Sequence, residues 1–233
     1  MGRNSILYGA ALALVYYTAA CSPSSDDATT PLVESAEAPA TPATLSADTK
    51  LVMAFGDSLY AGYGVKQDES FPAQLEKALS AKGLKVSVHN AGVSGDTTAA
   101  GLQRLAFALD GLPRKPDLVI LGLGGNDMLR GISPDQTLSN LEAMLKELQK
   151  RDIDVVLTGM LAAPNLGQDY AGSFNSIFPR LAGQYDAGLY PFFLDGVITD
   201  PKMMLPDGVH PNPKGIARVV SGISDMVADE LKG

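Results

Sequence analysis

The stretch 51-LVMAFGDSLYAGYG-64 decides the reading of the chain. Its first five residues, Leu51 to Phe55, are apolar without interruption, as expected of a strand buried on both faces. The run ends abruptly in Gly56, Asp57 and Ser58, residues that favour turns. A charged and a hydroxyl side chain therefore stand at the tip of a buried strand. An ordinary strand-to-helix turn would explain the dipeptide; so would a serine nucleophile, and the rest of the chain has to separate the two.

The pattern of the first stretch recurs. Further strands are expected at 85-KVSVH-89, 117-DLVILG-122, 153-IDVVLTG-159 and 190-YPFFL-194. Helical spacing appears between them: Phe71, Leu75, Ala78 and Leu79; Leu102, Leu105, Ala106 and Leu109; and Leu138, Leu141, Leu145 and Leu148 after a capping Ser133 and a first-turn Pro134. The last helix starts at Asn212-Pro213 and carries Ile216, Val219, Val220, Ile223 and Val227, and 171–185 is a weaker helical segment. Strands alternating with helices imply a parallel sheet covered on both faces, an α/β fold with about five strands. Ligands of such sheets bind at the carboxyl ends of the strands.

Four polar, glycine-bearing blocks fall at or beside those ends: 56-GDSLYAGYG-64, 90-NAGVSGDTT-98, 122-GLGGNDMLRG-131 and 206-PDGVHPN-212. Acyl transfer needs a nucleophile, a base, a group that orients the base and donors for an oxyanion. Ser58 is the candidate nucleophile. Of the two histidines, His89 falls within a strand pattern, whereas His210 follows Asp207 by three residues in a turn, a spacing at which the carboxylate can fix the imidazole tautomer. The backbone N–H groups of Ser58 and Gly92 and the side-chain amide of Asn126 are the candidate oxyanion donors. Asp57 and Asp127 read as loop supports, and Asp96-Thr97-Thr98 as a helix start. Met203 and Met204 are candidates for lining an acyl pocket, as is the segment 159-GMLAAPNLG-167.

The blocks 55-FGDSL-59, 91-AGVSGDT-97, 124-GGND-127 and 207-DGVHPN-212, in that order, resemble the GDSL or SGNH hydrolase family across essentially all of 50–233. The segments 160-MLAAPNLGQDYAGSFNSIFPRLA-182 and 190-YPFFLDGV-197 are similar to the bacterial periplasmic branch of thioesterases, lysophospholipases and arylesterases. The resemblance implies a flavodoxin-like, three-layer α/β/α sandwich and a triad of Ser58, His210 and Asp207. It implies an oxyanion hole made by Ser58, Gly92 and Asn126, no metal and no organic cofactor, and a small ester, lysolipid or acyl thioester as substrate. A carbohydrate O-acetyl esterase would use the same triad, and a surface-binding lipoprotein on a hydrolase fold is the non-enzymatic alternative. A metal-dependent phosphoesterase would need more histidine and carboxylate ligands than two histidines allow. A nucleotide-binding module would need the G-x-G-x-x-G spacing that 122-GLGGND-127 lacks.

The N-terminal region has a different character. Arg3 precedes the uncharged run 6-ILYGAALALVYYTAA-20, which is short for a transmembrane helix and has the length of a signal-peptide core. The small residues Ala19 and Ala20 then meet Cys21, the only cysteine of the chain, in an arrangement that resembles a bacterial lipoprotein signal, with Thr18 where that signal usually has Leu. Residues 1–20 are thus expected to be a signal peptide and Cys21 a lipidation site anchoring the chain in the periplasm; ordinary export, with the cysteine removed or left free, is the alternative. Residues 21–49, rich in Ser, Pro, Ala, Thr and acids, read as a disordered linker, and 50–233 as the hydrolase domain, expected to be a monomer. A lone thiol makes no intrachain disulfide, so the fold must rest on its core. The formal net charge of -8 argues against a nucleic-acid partner, which requires a basic face.

Overall fold

A computed structural model of the protein describes residue 46 and residues 48–232. The expected signal peptide, Cys21 and most of the expected linker lie outside the described residues. Among the described residues no helix is long and apolar enough to cross a membrane.

Five strands form the sheet: β1 (Lys50–Gly56), β2 (Val86–Gly92), β3 (Leu118–Gly122), β4 (Asp154–Thr158) and β5 (Gly188–Tyr190). Their order is β2-β1-β3-β4-β5, with every pair parallel. The helices are α1 (Ser58–Ala61), α2 (Phe71–Ala81), α3 (Thr98–Asp110), α4 (Gly125–Leu129), α5 (Pro134–Lys150), α6 (Gln168–Asn175), α7 (Ile177–Tyr185) and α8 (Pro213–Glu230).

Strand alternation divides the core into two layers. Leu51, Met53 and Phe55 of β1 join Val119 and Leu121 of β3 beneath α3, α5, α6 and α7. Val52 and Ala54 join Leu118 and Ile120 on the opposite face, beneath α1, α2 and α8. The two inner strands β1 and β3 are buried at every core position, which explains their unbroken apolar runs. At about 1.5–3 kcal/mol for each fully buried Val, Leu, Ile or Phe, these two faces supply the driving force that no disulfide could. The result is the expected three-layer α/β/α arrangement.

Two expectations are corrected. The fifth strand ends at Tyr190 rather than running from 190 to 194, because Pro191 offers no N–H to continue the ladder. Phe193 and Leu194 are buried all the same, with the Phe193 N–H donating to Gly159 O at 2.9 Å. The weak segment 171–185 is two helices, α6 and α7, parted at Ser176. The reason is Pro179: inside a continuous helix its ring would meet the carbonyl of Asn175, whereas in the first turn of α7 it replaces an N–H that has no partner anyway.

Candidate active site

β1 delivers Asp57 and Ser58 to the carboxyl edge of the sheet. Asp57 caps α1 by accepting the Leu59 N–H at 3.0 Å, so Ser58 occupies the first helical position. The short helix is fixed from below by Tyr60, whose ring fills the space left by Gly56 and Gly122. A Cβ on either glycine would lie 2.4 Å from a ring atom. The Tyr60 hydroxyl shares a 2.7 Å hydrogen bond with Thr158 Oγ1, tying α1 to the end of β4.

The turn before α8 brings the histidine. His210 Nε2 lies 2.8 Å from Ser58 Oγ, and its Nδ1 lies 2.7 Å from Asp207 Oδ2. The turn is pinned at its base: the Leu205 N–H donates to His210 O at 2.8 Å, the Asn212 N–H donates to Met203 O at 2.9 Å, and Met204 and Pro211 form an antiparallel bridge. Asp207 Oδ1 accepts the backbone N–H groups of His210 and Val209, at 3.0 and 2.9 Å. Those two N–H groups, with the imidazole, draw the Asp207 carboxyl down to about 2, so it is ionised throughout the neutral range. Tyr63 packs on the imidazole with ring centroids 4.4 Å apart.

α4 supplies Asn126. Its Nδ2 donates to Asp96 O at 3.0 Å and to Asp57 Oδ2 at 3.3 Å. Both partners are acceptors, which fixes the nitrogen rather than the oxygen of the amide between Asp96 O and the Asp57 carboxyl, beside the first turn of α1. Asp57 is 3 % exposed. Burial pushes its carboxyl up to about 6, against the opposing pull of the Leu59 N–H, His210 and the Asn126 amide.

The structure does not bring Gly92 into this group. Gly92 is the last residue of β2, paired with Gly56, and its N–H donates to Asn90 Oδ1 at 2.9 Å. A Cβ there would lie 2.2 Å from the Ala61 nitrogen, so this glycine serves the packing of β2 against α1. The glycine that lines the site is Gly95, three residues on, at a φ of +86° that L side chains rarely adopt. Neither its N–H nor that of Ser58 has a hydrogen-bond partner among the described residues. Two glycines share the block 91-AGVSGDT-97, and which one faces the site depends on the backbone turn between them. The available signal was position: Gly95 lies two residues before Thr97, the cap of α3, where the chain must leave the strand.

The other expected residues divide clearly. Asp127 is fully buried and accepts from the Thr98 N–H at 2.8 Å and from the Thr98 and Thr137 hydroxyls, supporting the loops as expected. Thr97 caps α3 through Ala100 N–H. His89 is an exposed strand residue. Met203 and Met204 pack with the core beneath α8 and do not reach the cavity.

Ser58, Gly95, Asn126 and His210 all open on one cavity of about 630 Å³. Met160, Leu161, Ala162, Ala163 and Pro164, from the segment after β4, form much of its wall, with Phe192 and Leu194. Among the described residues no group of His, Cys, Asp or Glu side chains could hold a metal ion.

Known proteins match this architecture. The profile of the GDSL-like lipase/acylhydrolase family matches residues 54–218. An arylesterase of Vibrio mimicus is 41% identical over 180 residues, covering 77% of this chain and 87% of its own. Thioesterase 1/protease 1/lysophospholipase L1 of Escherichia coli K12 is 39% identical over 167 residues, covering 72% and 77%. The crystal structure of AlinE4, an SGNH-hydrolase family esterase, is 52% identical, covers 78% of this chain and 96% of its own, and superposes with a TM-score of 0.68. AlinE4 has also been solved as two alanine variants, one at a serine and one at an aspartate, whose separation in its chain equals that of Ser58 and Asp207 here. This chain belongs to the GDSL-like lipase/acylhydrolase family and is a serine esterase.

Proposed function

We propose that Ser58, His210 and Asp207 are the catalytic triad and that the chain hydrolyses carboxylic esters with apolar acyl or aryl groups through an acyl-enzyme on Ser58. The observation that carries the reading is the continuous line from Ser58 Oγ through both imidazole nitrogens to Asp207 Oδ2, with spacings of 2.8 and 2.7 Å. Asp207, ionised, accepts the Nδ1–H and leaves Nε2 free to take the serine proton. Ser58 Oγ then attacks the acyl carbonyl. The oxyanion is met by the N–H groups of Ser58 and Gly95, which have no partner among the described residues, and by the Asn126 Nδ2 hydrogen that leaves Asp57 Oδ2, the longer of its two bonds at 3.3 Å, while the other stays on Asp96 O. His210 returns the proton to the leaving alcohol as the carbonyl reforms. A water, deprotonated by the same Nε2, attacks the acyl-enzyme and releases the acid and Ser58.

The wall of Met160, Leu161, Ala162, Ala163, Phe192 and Leu194 supports an acyl or aryl ester over an acetylated sugar, since it offers an apolar chain contact area and a sugar few hydrogen-bond partners. The names of the relatives, arylesterase and thioesterase/lysophospholipase, fit the same range. For the rest of the chain we keep residues 1–20 as a signal peptide, Cys21 as a lipid-anchored periplasmic N-terminus, 21–49 as a tether and 50–233 as the catalytic domain. The support is the apolar run ending in Ala19, Ala20 and Cys21.

The test is Ser58→Ala assayed with p-nitrophenyl esters of increasing acyl length, the matching thioesters and an acetylated sugar. Hydrolysis should vanish with the circular dichroism spectrum unchanged. Activity surviving in Ser58→Ala would remove the assignment, and a wild-type preference for the sugar would move the substrate to carbohydrates. Mass spectrometry of the mature N-terminus reads the anchor: a diacylglyceryl group on Cys21 is expected, and an unmodified or absent Cys21 rejects it.

A further inference from the structure

Among the described residues, seven large hydrophobic side chains are exposed, and five of them surround the mouth of one cavity. Tyr63 is 53 % exposed, Leu129 59 %, Leu161 44 %, Ile198 44 % and Val209 39 %. They come from separate stretches of chain: after α1, the end of α4, after β4, the turn before the 3-10 segment at Pro201, and the Asp207–His210 turn. Single exposed apolar side chains are ordinary, but five gathered at one cavity form a ring that marks a place of contact.

We propose that this ring is a docking surface for an uncharged or zwitterionic lipid–water interface, from which ester substrates enter the cavity. Three observations select that occupant. The five side chains line the same cavity as the apolar Met160, Ala162, Phe192 and Leu194, so an acyl chain leaving a lipid aggregate can enter against apolar side chains. A folded protein seated on the ring would cover the entrance to Ser58 and His210, whereas a fluid lipid surface covers the ring and supplies the substrate in one contact. The titratable side chains lining the cavity, Asp57 and His210, are committed to the site itself, and the chain carries a net charge of -8. Such a net charge disfavours anionic head groups, and Arg130, the exposed cation next to Leu129, is engaged by Gly95 O at 2.9 Å. The inference rests on the active-site reading only for what lies beneath the opening.

The chain has no tryptophan, so a single introduced one reports its own surroundings. Full-length Leu161→Trp and Ile198→Trp are mixed with phosphatidylcholine vesicles whose acyl chains carry bromine. Phe107→Trp serves as the reference, at a position 82 % exposed and away from the cavity. Both rim variants should lose fluorescence to the bromines and shift to shorter wavelength, and the reference should do neither. An N-terminal segment that itself bound lipid would bring all three to the vesicle, so the difference between positions carries the result. No quenching at either rim position, or equal quenching at all three, overturns the proposal; so does a stable dimer that shields both rim tryptophans from a soluble quencher, which would give the face to a second copy. Because the readout needs no turnover, it can fail while Ser58→Ala still abolishes hydrolysis, and succeed while that assignment fails.

Discussion

Asp57 is a carboxyl group with one neighbour too few. It accepts the Leu59 N–H and faces the Asn126 amide, yet burial outweighs both and raises it from 3.8 to about 6. In the unfolded chain this group releases its proton near its ordinary value; in the fold it keeps the proton to about pH 6. The stability it contributes is therefore complete below about pH 4 and is lost as the pH rises through about 6. A difference of about two pKa units corresponds to about 3 kcal/mol, a sizeable share of the 5–15 kcal/mol typical of folded proteins. Asp57→Asn removes the titration and keeps an acceptor oxygen for Leu59; the lost acceptor for Asn126 Nδ2 costs the same at both pH values and drops out of the comparison. Urea unfolding followed by circular dichroism at pH 4 and pH 7.5 should show the wild type losing about 3 kcal/mol relative to the variant across that interval. Parallel pH dependences of the two proteins would refute the reasoning, since they would show Asp57 titrating alike in both states.

Asn126→Ala should lower kcat by about 100- to 1000-fold with KM little changed, the usual size for one oxyanion donor, as read in steady-state kinetics; an unchanged kcat removes the amide from the hole. The two glycines of the second block should separate in their effects. Gly92→Ala places a Cβ 2.2 Å from the Ala61 nitrogen and should lower Tm strongly. Gly95→Ala meets nothing closer than Arg130 Nη2 at 3.6 Å, and its positive φ costs about 1–2 kcal/mol, so its loss should appear mainly in kcat. A kcat loss in Gly92→Ala with Tm unchanged would return Gly92 to candidacy. Tyr60→Phe leaves the buried Thr158 hydroxyl without its partner and should cost about 1–3 kcal/mol in urea unfolding.

The sheet was readable because β1 and β3 lie between two helical layers and must be apolar at every position. β5 was readable only in part: three residues at the edge carry little pattern, and the apolar Phe193 and Leu194 that follow are buried by a turn rather than by a ladder. The roles proposed for Asp207, His210, Asn126 and the Ser58 hydroxyl are side-chain roles, whose chemistry a sequence states outright. An oxyanion donor from the backbone has no such label. Gly92 and Gly95 look alike in sequence and differ only in the φ of one and the strand pairing of the other. The burial of Asp57 was equally hidden, since it depends on Asn126 and Asp96 arriving from α4 and the loop before α3.

The pinned turn from Met203 to Asn212 has a consequence for how activity is gained and lost. Asp207 and His210 meet within three residues, on a loop that closes itself, while the bond from His210 to Ser58 spans 152 residues. In the proposed triad the acid–base pair is thus a local structure, and the nucleophile is a distant one. They are joined by the packing of Tyr63 on the imidazole and by the seating of the turn and α8 against α2 and the sheet. Opening of that seating would take the proposed triad apart while the five strands remained paired. On that reading hydrolysis reports the closure of the His210 turn on the Ser58 loop, a step to which spectroscopy of the sheet is blind.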